Sequence, residues 1–442
     1  MSRTGLMVLC VAWQCLCPVL LLARDTAGML PARKGDFLEV QGEALAALDG
    51  SALDRLELLA VEGDALVPIP FQVDERVEGK KGRYEWALPD GPEGGKVKGD
   101  GRLGAHDELV FMARDLGPRA GPSRLQELPA GSVEIQVTDP LDGSTGFAYL
   151  GVVEGQPRLS QEDYVRYVVA RDYIETPVYT VGHSKVFPIA HNENRVKKEA
   201  GGEGIDIIDI FKQRILAKAF FGSLKVDKRA EDWTSEISAY KDGPVRVIRK
   251  NENHLKLAAG LKSPSLYTHT FYLRELFWFP AEVNVPFKLA TLITSLDIFA
   301  ATEFCRNAAG MEFSSNSVRQ SVLIDGVTSP QEKALNREVN QEWQLVTGHQ
   351  GTWLNRVVIG PGLEPLHRWL FYEDDASKND PPEEEKGIYG KVGFSLGNLE
   401  QLKGGHYTFR SYIHFPEHFR CGEEKKILNM LDAPLQVTAN LR

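Results

Sequence analysis

Beyond residue 30 the apolar residues of this chain fall into short runs, each closed by Gly, Pro, Asp or Asn, and that punctuation decides what it can fold into. Residues 66–73, 109–112, 133–137 and 147–150 are such runs, of strand length and too short for packed helices. Gly 41 and Pro 24 supply the turns between them. Helical patterning is confined to residues 330–339 and a short turn at 398–403 that Gly404 and Gly405 end. The expected fold is mainly β, with an N-terminal β-sandwich, a larger C-terminal β-sandwich and few short helices.

Composition enters as an exclusion. With 43% hydrophobic and 25% charged residues the chain can bury a core and is not disordered. Lys+Arg 51 against Asp+Glu 61 leaves a net charge of −10, which argues against nucleic-acid binding. The length accommodates two domains. A polar, Gly- and Pro-containing stretch at 154–163 sets the expected boundary, giving domains at 29–157 and 158–442.

Residues 1–28 read as an export signal. Arg3 is followed by an apolar run at 7–23 broken by Gln14 and Pro18, and Thr26, Ala27 and Gly28 offer small residues for cleavage. The run falls short of the roughly 20 apolar residues an uncleaved anchor needs. Residues 287–304, with Lys288, Asp297 and Glu303, cannot span a membrane either, so no transmembrane span is expected beyond the signal segment. The expected location is periplasmic, cell-surface or secreted. Cys10, Cys15 and Cys17 leave with the signal, and Cys305 and Cys421 either form one disulfide across a long loop or remain free thiols. Without CxxC in the mature chain, zinc-thiolate and thiol-redox sites have no support.

Three groups of residues stand out as candidates for chemistry. In residues 405–415, period two puts His406, Thr408, Arg410, Tyr412 and His414 on one face and Tyr407, Phe409, Ser411, Ile413 and Phe415 on the other. His406, Arg410 and Tyr412 are either a catalytic set, in which Arg neutralises a uronic carboxylate while His or Tyr removes the neighbouring proton, or the ordinary polar residues of a solvent-facing strand. Trp278, Trp369, Tyr372 and His414 are candidate substrate-binding residues, because sugar rings stack on aromatic faces; the alternative for the large rings is that they fill the interface between two sheets. Asp74, Asp100, Asp107 and Glu108 are either Ca2+ ligands, although their spacing is not that of an EF-hand loop, or turn carboxylates that satisfy backbone N–H groups. The acidic stretch 373–385, with Pro381 and Pro382, reads as a solvated loop.

The pairing of PIPFQVDER at 68–76 with GDGRLGAHDELVFMARD at 99–115 resembles exported bacterial β-sandwich proteins of uncharacterised families, some related to polysaccharide-degrading enzymes. KDGPVRVIR at 241–249 is similar to the start of a strand in supersandwich domains of the galactose-mutarotase type. Glu75 departs from the pattern, which has a second Asp there, and a long insert separates Asp74 from Asp100. The resemblance covers about a quarter of the chain and transfers no catalytic residue. It implies an exported protein that binds or processes an extracellular or envelope polysaccharide; whether it is an enzyme stays open, and an enzyme here would be of polysaccharide lyase-like or other carbohydrate-active type. The alternative is a non-catalytic envelope or assembly protein that binds another protein through its strand surfaces.

Overall fold

The computed structural model describes residues 30–442 except 80–81, 186–189, 257–260, 286–288 and 384, so the expected signal at 1–28 lies outside the described residues. The chain is mainly β, and every strand pairing is antiparallel. In the N-terminal part, a three-stranded sheet of Phe37–Gln41, Glu108–Met112 and Phe71–Asp74 faces a five-stranded sheet built from Gln436–Leu441, Val133–Thr138, Thr145–Val152, Leu56–Glu62 and Ala65–Pro68. Their core holds Leu38, Val40, Leu109 and Phe111 on one side and Leu58, Ile135, Val137 and Leu150 on the other. The predicted run 66–73 is split because Ile69 and Pro70 end one strand before Phe71 starts the next. One strand crosses the expected division of the chain: Gln436–Leu441 runs beside Val133–Thr138, in register Val437↔Val137.

The larger sandwich packs a nine-stranded sheet on a second five-stranded sheet. The latter is ordered Leu224–Arg229, Ile208–Ala219, Ile293–Phe304, Ile388–Gly397, His367–Asp375. The nine-stranded sheet runs from Trp233–Asp242 at one edge, through Leu276–Val285 and Gly405–His414 at its centre, to Val318–Leu323 at the other. Phe304, Phe313, Trp353, Tyr372, Val392 and Phe415 fill the space between the layers. The outer face of the nine-stranded sheet is covered in turn. Val110 and Met112, on the reverse of the strand that sends Leu109 and Phe111 into the N-terminal core, pack against Phe271, Trp278 and Tyr412. Glu108–Met112 is therefore buried on both faces, which is why it reads as a continuous apolar run rather than an alternating one.

Helices are few. The predicted 330–339 helix is a single turn, Pro330–Lys333, started by a Ser329–Glu332 capping box. The longest helix, Glu424–Asp432, was not foreseen and buries Leu428 and Met430. Among the described residues no helix is long and apolar enough to cross a membrane. The disulfide alternative for Cys305 and Cys421 is corrected: both are free, Cys305 buried with its thiol 3.4 Å from the Asp206 carbonyl oxygen, Cys421 exposed in a turn.

Candidate functional site

The strand Gly405–His414 has the predicted alternation, but its two ends meet different surroundings. His406 and Arg410 are exposed, whereas Tyr412 (5% exposed) is packed under the N-terminal part beside Trp278, their rings 5.7 Å apart. His414 is also buried. Its Nε2 has no hydrogen-bond partner among the described residues, and burial pushes its pKa down to about 3. Arg410 lies over the Trp278 ring at 5.5 Å. The expected catalytic set therefore does not form one open site. Period two fixes a face, and the docking of a second sheet then closed half of it. Trp278 and Tyr372 are likewise in the interior rather than in a groove, Tyr372 stacked on Phe313 with its hydroxyl donating to Glu332 at 2.9 Å.

The expected calcium ligands are corrected as well. Arg246, 0% exposed, donates from Nε to Asp74 Oδ2 at 2.6 Å and from its two other nitrogens to Glu39 and Glu108. Lys241 Nζ sits 2.7 Å from Asp74, and Arg76 pairs with Glu108 at 2.5 Å. Burial alone would raise the pKa of Asp74, but Arg246 and Lys241 hold it below the usual carboxylate range. Asp107 accepts from the backbone N–H groups of Arg76 and Gly104, and Asp100 from that of Arg102. No cluster of His, Cys, Asp or Glu among the described residues could hold a metal ion. The three segments that carried the family resemblance thus meet at one point. Gln72 Oε1 accepts from the backbone N–H groups of Val245 and Arg246, and the cluster locks the N-terminal part onto the large sandwich.

An arrangement with chemical potential lies on the opposite side, on the outer face of the C-terminal five-stranded sheet. Leu370, Tyr372, Val392, Phe394 and Leu396 point into the sandwich, so the residues between them point out. Strand register aligns these in rows: Arg214, Phe299, Ser395 and Trp369; then Lys212, Ala301, Gly393 and Phe371; then Glu303, Lys391 and Glu373. Phe299 and Phe371 meet edge to face at 6.2 Å, and His367 stacks on Trp369 at 4.5 Å. A pocket opens here, lined by Lys212, Arg214, Arg229, Lys391, Phe371 and Asp380 among others. Ala301 is part of its lining, and on the strand beside it Gly393 packs so closely that a Cβ there would collide with the backbone of Ala300 and Ala301.

The segment around Asp380 roofs one end. Lys391 pairs with the Asp380 carboxylate, and Lys212 donates to the Asp380 carbonyl oxygen. Beneath them Glu303 is wholly buried, 2.7 Å from Lys212 and 3.7 Å from Lys391. Burial raises the Glu303 pKa against the pull of Lys212, and burial lowers that of Lys391 to about 8 against the pull of Glu303. Four cations line the pocket, and three carboxylates answer them: Asp380 pairs with Lys391, Glu303 lies beneath the lysines and Asp227 accepts from Arg214, which leaves a small excess of positive charge for an anionic ligand.

Of the sequence-based candidates only Trp369 belongs to this face. Lys212, Phe299, Glu303, Phe371 and Lys391 were missed. The legible signal was charge at alternate positions of an otherwise strand-like run, as in Lys212–Arg214 and Lys391–Gly393–Ser395. The stretch 373–385 is also not simply solvated: Asp374 is buried and accepts from the backbone N–H groups of Asp325, Gly326 and Gly390.

No protein-family model matches the chain, and no curated protein matches it. Among solved structures it is similar to an alpha-mannosidase from Enterococcus faecalis V583 (TM-score 0.46, 13% identity, covering 91% of this chain and 44% of that one). It is also similar to a protein in the Glycosyl Hydrolase Family 38 from Enterococcus faecalis (TM-score 0.45, 11% identity, covering 91% and 45%). The chain spans less than half the length of either.

Proposed function

We propose that this is an exported protein that binds an acidic polysaccharide along the outer face of the C-terminal five-stranded sheet. One observation carries the reading. The half-buried rings of Phe299 and Phe371 line a pocket with Lys212, Arg214, Arg229, Lys391 and the small residue Ala301, and Trp369 continues the same face in the row of Phe299. Rings offer stacking surfaces to sugars, cations take the carboxylates, and the small Ala301 side chain leaves depth for a pyranose. If the site also cleaves the chain by elimination, Lys391 is the group suited to take the proton beside the carboxylate. Its pKa of about 8 leaves part of the population neutral at mildly alkaline pH.

Isothermal titration against a polyuronate and a neutral glucan tests the reading. The wild type should bind the polyuronate alone; Arg214→Ala should weaken it more than about tenfold, in line with ~1.5–3 kcal/mol for a charged hydrogen bond, and Trp369→Ala by a few-fold through the lost stacking surface. Equal binding by both variants, or no binding by the wild type, would overturn it. Export rests on residues 1–28, and intact mass of secreted material beginning near residue 29 is the expected outcome.

A further inference from the structure

The hairpin between Ile208–Ala219 and Leu224–Arg229 lies at the edge of the same sheet and ends in a tip that works against its own stability. Phe220 and Phe221 both have left-handed backbone, φ 49° and 58°. Tight hairpin turns that need positive φ at both central residues favour Asn and Gly, and a bulky residue there is strained. Among the described residues neither ring finds a buried place: Phe221 is fully exposed (104%) and Phe220 is 55% exposed.

Other features gather at the same point. The Phe220 N–H donates to the Leu292 carbonyl oxygen at 2.9 Å, bringing exposed Leu292 beside the tip, and exposed Leu224 follows directly. Just behind the rings, Lys218 stands opposite Lys225 in register, both exposed, a like-charge pair that disfavours the hairpin.

We propose that this tip inserts into the headgroup layer of an anionic lipid bilayer, with Phe220, Phe221, Leu224 and Leu292 reaching the acyl boundary and Lys218 and Lys225 contacting lipid phosphates. A projecting point cannot bury its rings against a flat protein surface, whereas a fluid interface closes around it. Charge complementarity selects the lipid. The chain carries a net charge of −10, so an anionic surface repels most of it, and the cross-strand lysine pair marks a point of approach.

The test is co-sedimentation of the chain from residue 29 onward with vesicles of about 70% phosphatidylcholine and 30% phosphatidylglycerol, and with phosphatidylcholine alone. The wild type should sediment with the anionic vesicles. Lys218→Glu/Lys225→Glu should lose about fivefold per lysine on those vesicles. Phe220→Asn/Phe221→Gly should lose at least roughly tenfold in partitioning while its Tm stays level or rises, because those residues suit the turn better. Wild type that stays in the supernatant, or a Phe220→Asn/Phe221→Gly variant that sediments like the wild type, would overturn the proposal. Binding that ignores phosphatidylglycerol would overturn the choice of an anionic surface.

Discussion

Replacing Arg246 with Met should destabilise the protein by about 3–5 kcal/mol, because it leaves buried carboxylates without their shared cation. The cluster is balanced as it stands: Arg246, Lys241 and Arg76 face Asp74, Glu108 and Glu39, three charges of each sign. Arg246 alone touches all three acids. Methionine fills most of the volume and leaves the Gln72 contacts to the backbone N–H groups of residues 245 and 246 available, so the loss reports charge rather than a cavity. Asp74 then keeps Lys241 and Glu108 keeps Arg76 and the Trp86 N–H, but both buried carboxylates lose their bond to the guanidinium, while Glu39, its side chain 32% exposed, is left to water. Lysine is no substitute, since a single ammonium cannot reproduce a guanidinium's fork of donors. At roughly 1 °C per kcal/mol for a cooperative unit of this size, a loss of about 4 kcal/mol lowers Tm by about 4–5 °C. Calorimetry and denaturant titration followed by tryptophan fluorescence both read this, with Trp86 and Trp278 at the junction as reporters. The added changes Asp74→Asn and Glu108→Gln should recover part of the loss. A loss below about 1 kcal/mol for Arg246→Met would refute the view that this cluster holds the two parts together.

The buried histidine on the central strand should make the fold acid-sensitive. His414 has its pKa depressed to about 3, so its stabilising contribution is present above the unfolded value of 6.5 and is lost as pH falls below it. His414→Gln should shrink the stability difference between neutral pH and pH ~5 by about 2 kcal/mol, and parallel denaturation curves would count against this. A thiol reagent should modify exposed Cys421 quickly and Cys305 only on unfolding, because burial pushes the Cys305 pKa up to about 12; two fast thiols would contradict the fold at that point. Excess calcium after chelation should leave Tm unchanged, since Asp74, Asp107 and Glu108 are taken by cations and backbone N–H groups; a rise approaching that of a ligand at 100 Kd, about 2.7 kcal/mol, would restore the calcium reading.

The strand content was legible because it depends on local spacing. The expected runs 109–112, 133–137 and 147–150 lie within strands, and the alternation of residues 405–415 is the one observed. What spacing cannot report is which face a neighbouring sheet will cover. His406 and Tyr412 have the same pattern in sequence, yet one is exposed and the other lies under Val110 and Met112, whose strand is nearly 300 residues away along the chain. The final strand Gln436–Leu441 carries the same lesson: its alternation identifies a strand, but nothing near it in sequence indicates pairing with Val133–Thr138.

The most motif-like segments turned out to be structural for a physical reason. A buried arginine with three carboxylates needs particular side chains at fixed places in adjoining turns, so Gln72, Asp74, Glu108, Lys241 and Arg246 form compact, recognisable strings. The outer-face pocket makes no such demand on any single segment. Each strand contributes one or two outward residues, Lys212 from one, Ala301 and Glu303 from the next, Lys391 and Gly393 from a third and Phe371 from a fourth, joined only by antiparallel register. Within each segment these residues look like ordinary surface alternation. Only after pairing do the lysines flank a buried glutamate and the rings border the small side chain of Ala301. A site assembled across strands is encoded in the register of the sheet, and the register is set by the inward-facing core residues rather than by the residues that would touch a ligand.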